Sequence, residues 1–160
     1  EHKTDVAIRF GELQDSSLHA RLLCRSRLYI VASPDYVQQK GVPRSVEDLS
    51  QHTLLGFSHP THLNTWPIQL NDRHITVEPK IKASNGETVR QLALHGVGIT
   101  CLSRFLVQED LQAGRLQTLF EDQIELQYQN IHAVYYRQEH LPKRVHLFIE
   151  FLAQKLAKYL

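Results

Sequence analysis

Hydrophobic and polar positions change period along the chain, and residues 80–119 show this most clearly. Apolar residues alternate with polar ones at 81–84, which predicts a strand with one buried face. From 87 to 97 they recur every three or four positions, the spacing of a helix that buries one stripe. An apolar run at 99–102 predicts a strand covered on both faces, followed by a helix at 103–111 and one further strand. Helices joined to strands by such short turns are typical of an α/β domain.

The first helix of this segment has recognisable ends in the sequence. Ser84 or Asn85 can cap it, and Glu87 in the first turn suits the positive end of the helix dipole. Gly96 is expected to end the helix, because a glycine adopts the left-handed conformation without strain. The first turn, at 84–88, therefore offers backbone N–H groups to a ligand above the sheet.

A long strand is predicted at 22–32, with Ile30 and Ala32 on one face and Val31 on the other. A final helix is predicted from Pro142 to about Leu160, and such a helix packs on a sheet. Its expected buried stripe consists of Val145, Phe148, Ile149, Leu152, Leu156 and Tyr159 or Leu160. The other predicted elements are strands at 5–10, 53–57 and 131–136, a hairpin around Asn71-Asp72-Arg73, and short helices at 35–39 and 45–49.

Composition limits the possible functions. Apolar residues make up 42% and charged residues 22% of the chain, which are ordinary values for a globular protein. The sequence has no run of eighteen apolar residues for a membrane span, and its first residues lack a secretory signal. The net charge of +1 provides no basic face for nucleic acid, so we do not expect this chain alone to bind DNA.

The two cysteines, Cys24 and Cys101, lie far apart in apolar, strand-like stretches. A free thiol in such a place usually behaves as a small buried hydrophobe, so we expect no disulfide and a reducing, cytosolic setting. Methionine is absent from the sequence, which favours a fragment of a longer protein.

Patterns for catalysis or metal binding are weak. His52, His59 and His62 lie near one another, but their spacing fits no common zinc site. The sequence has no GxSxG or HExxH motif, and Gly96 and Gly98 lack the further residues of a phosphate-binding loop. We therefore expect no metal, no cofactor and no enzymatic activity.

Two strand ends remain as candidates for a binding function. Ligands of open α/β sheets bind outside the carboxyl ends of strands. The candidate residues are Arg9, Phe10 and Gly11 at the end of the first strand and Ser84, Asn85, Gly86 and Thr88 where a later strand passes into a helix. A surface ion pair is the alternative role for Arg9, and helix capping is a role of Ser84 or Asn85 that can coexist with ligand contact.

Four segments together point to a known family. They are DVAIRFG at 5–11, YIVASPDYVQQKGVPRSVEDL at 29–49, SNGETVRQLALHGVGITCLSRFLVQEDLQAGRLQTL at 84–119 and IHAVYYRQEHLPKRVHLFIEFL at 131–152. In order and spacing they resemble the effector-binding domain of LysR-type transcriptional regulators. Together the four segments cover well over half of the chain. One departure is Ser103, which stands where the family usually has a proline.

The resemblance implies an α/β fold of the periplasmic-binding-protein-like type 2, with a small-molecule effector bound between two lobes. The implied lobes are 1–33 with 131–160, and 34–130, joined by crossover strands at 28–33 and 131–136. The implied effector-facing residues are Phe10, Gly11, Ser84, Asn85 and Gly86, with Arg9 adjacent. Gly96 and Gly98 match the family pattern but are expected to be structural.

A regulator of this family also carries an amino-terminal winged helix-turn-helix and the first elements of the first lobe. This sequence shows neither pattern, so we expect a truncated chain with an incomplete first lobe that reaches DNA only through the missing domain. We also expect a cytoplasmic homo-oligomer, and the edge of strand 5–10 predicts association with a second copy. Two alternatives stay open: a solute-binding receptor of the same fold, and a two-lobed transferase similar to porphobilinogen deaminase.

Overall fold

The computed structural model describes residues 5–11, 18–124, 127–136 and 142–157. The chain divides into two compact units, which are Glu1–Ser26 with Tyr128–Leu160 (unit 1) and Arg27–Gln127 (unit 2). The described strands are β1 (Ala7–Phe10), β2 (Leu18–Ala32), β3 (Leu55–Phe57), β4 (Thr65–Leu70), β5 (Arg73–Thr76), β6 (Ile81–Ala83), β7 (Thr100–Ser103), β8 (Gln117–Leu119) and β9 (Tyr128–Tyr136). The α-helices are α1 (Pro34–Lys40), α2 (Gly86–Leu94), α3 (Arg104–Gln112) and α4 (Lys143–Leu156), with 3₁₀ turns at Glu47–Gln51 and Thr61–Asn64.

In unit 2 the end of β2 pairs antiparallel with β7 and with β8. β3 pairs parallel with β6. A parallel bridge between Leu54 and Ile99, the residues just before β3 and β7, places these two strands side by side. Two hydrogen bonds support this bridge, from Leu55 N to Ile99 O at 2.8 Å and from Ile99 N to Thr53 O at 2.9 Å. β3, β6 and β7 therefore run in one direction, and their carboxyl ends lie at one edge of unit 2.

The predicted alternation along β2 is confirmed by the two buried clusters of unit 2. Ile30 and Ala32 belong to a cluster that includes Tyr36 of α1 and Trp66 of the β4–β5 hairpin. Val31 belongs to the other cluster, which includes buried residues of α2 and α3. Because successive side chains of a strand point to opposite faces, this strand end contributes to both layers of apolar packing.

The hairpin predicted around Asn71 is also present. Asn71 and Asp72 have φ values of 55° and 60°, so both central residues adopt the left-handed conformation of a tight two-residue hairpin turn. Asparagine and aspartate tolerate this conformation better than other non-glycine residues. Arg73, expected in the turn, instead begins β5.

In unit 1, β9 lies between β1 and β2, and β1 pairs antiparallel with β9, with Arg9 opposite His132. α4 buries Val145 and Ile149, as its apolar spacing predicts. The prediction for Phe148 was wrong, because its side chain is 49% exposed. Phe148 lies beside the buried stripe of α4 that is centred on Val145 and Ile149, and not within it.

Both cysteines are free and buried, as expected for apolar strand positions. Burial raises the pKa of the Cys24 and Cys101 thiols, which keeps both in the unreactive protonated form. Within the described ranges, none of the helices has the length and apolar content that a membrane crossing requires.

Candidate functional site

The amino-terminal end of α2 follows directly from the end of β6 in unit 2. Asn85 is the capping residue, and its side-chain oxygen accepts a hydrogen bond from the backbone N–H of Thr88 at 2.9 Å. Glu87 occupies the first turn, where a carboxylate is favoured by the helix dipole. Of the two capping residues predicted, Asn85 is the one that fills the role. Capping satisfies one of the first-turn N–H groups and leaves others available to a ligand.

The predicted residues of this group lie together and are accessible. Ser84, Asn85 and Thr88 are exposed, and Gly86 is partly exposed. The neighbouring strand β3 ends beside them, since Ser58 N donates to Ala83 O at 2.9 Å and Ser58 Oγ to the same oxygen at 3.3 Å. The carboxyl ends of two parallel strands and the start of a helix thus form one polar edge, the strand-end site (Ser58 and 84–88).

Ser103 was not predicted as a site residue from the sequence. It is the last residue of β7, at the same edge of unit 2, and it precedes the first turn of α3. Its side chain is 2% exposed, and within the described residues its Oγ has no hydrogen-bond partner. Because a buried hydroxyl without a partner is unfavourable, this position is a candidate for contact with a bound molecule. Its presence in place of the usual family proline was the available sequence signal.

A buried ion-pair network fixes α2 against α3. The carboxylate of Asp110 is fully buried and accepts hydrogen bonds from Arg90 Nε at 2.6 Å and Arg90 Nη2 at 3.0 Å. Arg115 Nε donates to it at 2.8 Å. Burial acts to raise the pKa of Asp110, but the two guanidinium groups outweigh it and hold that pKa below its usual range.

This network extends to the first turn of α2. Arg90 Nη1 also donates to the carboxylate of Glu87 at 2.9 Å. The guanidinium of Arg90 therefore connects the exposed helix start to a buried carboxylate on α3. Such paired charges position the strand-end site by restraining the helix that carries it.

Arg9, Phe10 and Gly11 lie at the end of β1 in unit 1. Arg9 is exposed, whereas Phe10 and Gly11 are partly buried. Gly11 has a φ of 84°, a conformation that favours glycine, and its N–H donates to Asn130 O at 2.8 Å. Each predicted group is thus contiguous in its own unit: 9–11 in unit 1 and 84–88 in unit 2.

Of the histidines considered for metal binding, His52 has a structural role. Its Nδ1 lies 3.0 Å from the hydroxyl of Tyr36, and that hydroxyl also accepts a hydrogen bond from Thr53 N at 3.0 Å. Across the part of the chain that the structure describes, no group of three or more His, Cys, Asp or Glu side chains could hold a metal ion.

A comparison with models of protein families identifies the kind of domain that this chain forms. The model of the LysR substrate binding domain matches residues 1–157, which is nearly the whole chain. The chain belongs to this family. Family membership agrees with the sequence-based identification and places the chain among domains of transcriptional regulators and not among enzymes.

Relatives of this LysR domain include two named transcriptional regulators. The HTH-type transcriptional regulator CrgA of Neisseria meningitidis is 41% identical over all of this chain, which covers 54% of CrgA. The regulator PtxR of Pseudomonas aeruginosa is 32% identical over 98% of the chain, which covers 50% of PtxR. The chain thus spans about half the length of the curated relatives it matches.

A solved structure of the CrgA regulatory domain shares the fold of this LysR domain. The two superpose with a TM-score of 0.86 at 41% identity, over 95% of this chain and 75% of that domain. The mixed α/β architecture of the LysR regulatory domains, similar to type 2 periplasmic binding proteins, is therefore confirmed for this chain.

Proposed function

We propose that this chain is the effector-sensing part of a bacterial LysR-type transcription regulator and that its effector contacts the strand-end site of unit 2. The observation that carries the proposal is the exposed, capped start of α2 at the edge where β3 and β6 end, in a chain of this family. The proposed contacts are Ser84, Asn85, Gly86 and Thr88. Small polar side chains and free N–H groups at such an edge suit a polar or anionic small molecule.

Arg9, Phe10 and Gly11 are proposed as effector contacts of unit 1. Arg9 would supply a guanidinium, and the exposed side chain supports this role because it can pair with a carboxylate or phosphate. In this proposal the lobes are 1–33 with 131–160, and 34–130. The first lobe would be incomplete, in line with the 75% share of the CrgA regulatory domain that the chain covers.

The regulatory step is proposed to be differential binding. An effector that binds one conformation of the domain more tightly shifts the population towards it, and DNA-binding domains in the complete protein would respond. We propose that the complete protein is a cytoplasmic homo-oligomer that contacts DNA through a separate helix-turn-helix domain. The names of its relatives as HTH-type regulators support this assignment.

The test is a thermal-shift screen of the chain against a panel of low-molecular-weight carboxylates, amino acids, aromatic acids and sugar phosphates. A compound at a hundred times its Kd stabilises the fold by about 2.7 kcal/mol. We expect Asn85→Leu to reduce the affinity for each stabilising compound by about tenfold or more, which is a loss of ~1.4 kcal/mol.

The matched control is Ser33→Ala. Ser33 caps α1 in the same unit, where its Oγ accepts a hydrogen bond from Tyr36 N at 3.2 Å. Both substitutions remove one capping bond, at a cost of about 1 kcal/mol, but only Asn85 lies at the strand-end site. Equal ligand affinity in wild type and Asn85→Leu would contradict the proposed site, and a matching loss in Ser33→Ala would assign the effect to helix capping in general.

A further inference from the structure

The start of α3 lies at the same edge of unit 2 as the strand-end site, but its positive end has no carboxylate of its own. Asn85 caps α2 through its side chain, and Glu87 lies in the first turn of that helix. Ser103, which precedes α3, makes no side-chain capping bond, and the first turn of α3 contains no acidic residue. Because the first N–H groups of a helix carry partial positive charge, the start of α3 favours a negative group.

A buried hydroxyl without a partner lies at this helix start. The Ser103 side chain is 2% exposed, and among the described residues its Oγ has no hydrogen-bond partner. Ser103 has a φ of −71° and a ψ of 147°, the extended conformation in which a capping side chain lies beside the first turn. A buried hydroxyl is costly when nothing bonds to it. A bound group at the start of α3 would remove this cost.

Arg27 brings a cation to the same place. Leu28 pairs with Ser103, so Arg27 lies one residue beyond the end of β7. Tyr29 packs against the buried cluster that includes residues of α2 and α3. Because alternate residues of a strand share a face, Arg27 projects from the face of β2 that these helices cover. Its guanidinium is therefore on the helix side of the sheet, at the edge where α3 begins.

The guanidinium of Arg27 is held by an aromatic ring, which leaves its N–H groups available. Its Cζ lies 5.1 Å from the centre of the Tyr29 ring, within the range of a cation–π contact. Its Nε is buried and has no hydrogen-bond partner in the described ranges. Arg90 shows how this side of a guanidinium is used elsewhere in unit 2, because its Nε and Nη2 together bind the Asp110 carboxylate at 2.6 and 3.0 Å. Arg27 can bind a carboxylate in the same way.

The carboxylate in the first turn of α2 already has partners. Glu87 accepts hydrogen bonds from Arg90 Nη1 at 2.9 Å and from Gln91 Nε2 at 2.8 Å. The two helix starts are nevertheless adjacent, since a Cβ added at Gly86 would lie 2.7 Å from Leu106 Cδ1 in the first turn of α3. One small molecule can therefore contact the strand-end site and the start of α3 together.

We infer that the effector carries a carboxylate and that this group binds at the start of α3, in the α3 anion subsite (Arg27, Ser103 and the first-turn N–H groups). The inference rests on the proposed function and adds the chemical class of the effector. Arg27 pairs with the carboxylate through Nε, and the Ser103 hydroxyl donates a hydrogen bond to it. Because Ser103 is buried, the bound carboxylate is withdrawn from water, which strengthens these bonds. The rest of the effector contacts 84–88.

The test is isothermal titration calorimetry with each carboxylate of the effector panel that stabilises the chain. Each is compared with its primary amide, for example benzoate with benzamide, and inorganic phosphate is titrated separately. We expect the amide to bind about tenfold more weakly than the carboxylate, since it lacks the charge. Arg27→Gln is expected to reduce carboxylate affinity about tenfold and to remove the preference over the amide, and Ser103→Ala to reduce that affinity about threefold to tenfold.

Two control variants separate these effects from general ones. Thr100→Val removes another hydroxyl of β7 that is 0% exposed and without a partner in the described part of the chain, but at the opposite end of the strand. Arg73→Gln removes an exposed positive charge of β5 in unit 2. Both are expected to leave carboxylate affinity unchanged.

Folding of each variant is verified by circular dichroism and urea denaturation. Ser103→Ala removes a hydroxyl that makes no hydrogen bond, so we expect no loss of stability from it. Arg27→Lys serves where Arg27→Gln reduces folding. It keeps the positive charge but lacks the paired donors of a guanidinium, and it is expected to lower carboxylate affinity with little effect on the amide.

Equal affinity for carboxylate and amide overturns the inference, as does carboxylate affinity that Arg27→Gln and Ser103→Ala leave unchanged. A panel in which no carboxylate binds, or in which phosphate binds more tightly than every carboxylate, overturns it as well. Asn85→Leu separates this result from the proposed function. Affinity lost in Asn85→Leu but kept in Arg27→Gln supports the strand-end site and refutes the α3 anion subsite, and the reverse result refutes the contact at Asn85 alone.

Discussion

At Gly98 the backbone passes so close to the Thr53 carbonyl oxygen that a Cβ there would overlap it. Residue 98 immediately precedes the bridge between Leu54 and Ile99, which joins β3 to β7. The absence of a side chain lets these strands meet. Gly96 is required for a different reason. It lies just after the end of α2 and has a φ of 69°, a left-handed conformation that favours glycine. The sequence-based expectation that both glycines are structural is therefore confirmed.

We expect Gly98→Ala to destabilise the fold by about 1–3 kcal/mol, the usual cost of forcing an atom into a packed interior. The obstructing atom is backbone, so it cannot move aside as a side chain would. Gly86→Ala is the control: its Cβ would meet only the end of the Leu106 side chain, at 2.7 Å. Chemical denaturation of both variants measures the difference, and equal stability would contradict this account of Gly98.

Between elements, the position of α2 on α3 depends on the carboxylate of Asp110. Its neighbours Arg90 and Arg115 come from different parts of unit 2, so the network joins the start of α2, the end of α3 and the turn that follows. The Arg90 side chain is 18% exposed and that of Arg115 is 53% exposed, which makes the Arg90 pair the more shielded of the two. Shielded pairs are screened less by salt.

Asp110→Asn is expected to destabilise the fold by about 1.5–3 kcal/mol at neutral pH, the usual contribution of a hydrogen bond to a charged group. The pKa of Asp110 is lowered from 3.8, so its contribution is complete above about pH 4 and is lost as pH falls through the folded-state value. The stability of the wild type should therefore decrease in acid more steeply than that of Asp110→Asn. Urea titrations from pH 7 to pH 3 measure this difference.

Glu78→Gln provides the comparison for that titration. The Glu78 carboxylate pairs with Lys82 at 2.9 Å, but its side chain is 91% exposed. Solvent screens such a pair, so we expect almost no change in stability or in its pH dependence. An acid profile for Asp110→Asn identical to that of the wild type would show that the buried network does not stabilise the fold.

At the scale of the whole molecule, the two units differ in how completely they are packed. Among the described residues, the two large buried clusters, one on each side of the end of β2, lie in unit 2. Unit 1 also buries apolar residues, including Ile131 and Ile149, but it leaves three large side chains of α4 half exposed. Regions with less complete burial open at lower free energy.

We therefore expect amides of β1 and α4 to exchange with deuterium sooner than those of β7 and α2. Mass spectrometry of peptides after a series of exchange times measures this order. If β1 and β7 exchanged at the same rate, the chain would unfold as one cooperative body and the distinction between the units would have no energetic meaning. A stabilising compound from the effector screen should slow exchange at the start of α2 in particular.

The sequence by itself determined the α/β class, most helix and strand positions, the two candidates for the capping residue of α2 and the position of the hairpin turn at Asn71 and Asp72. These features depend on short-range sterics and on the spacing of apolar residues, which act over a few positions. The candidate site residues at 84–88 were found for the same reason, because a strand end, a cap and a helix start follow one another along the chain.

Only the tertiary structure decided which buried stripe α4 presents, where Ser103 lies and how Asp110 is paired. Periodicity indicates that a helix has an apolar side, but it does not indicate how much of that side the neighbouring elements cover. Phe148 was therefore assigned to the core, although its side chain is half exposed. Arg90 and Asp110 are twenty residues apart, and no local rule links them. Long-range packing sets both results, because it depends on which elements meet and on how much surface each leaves uncovered.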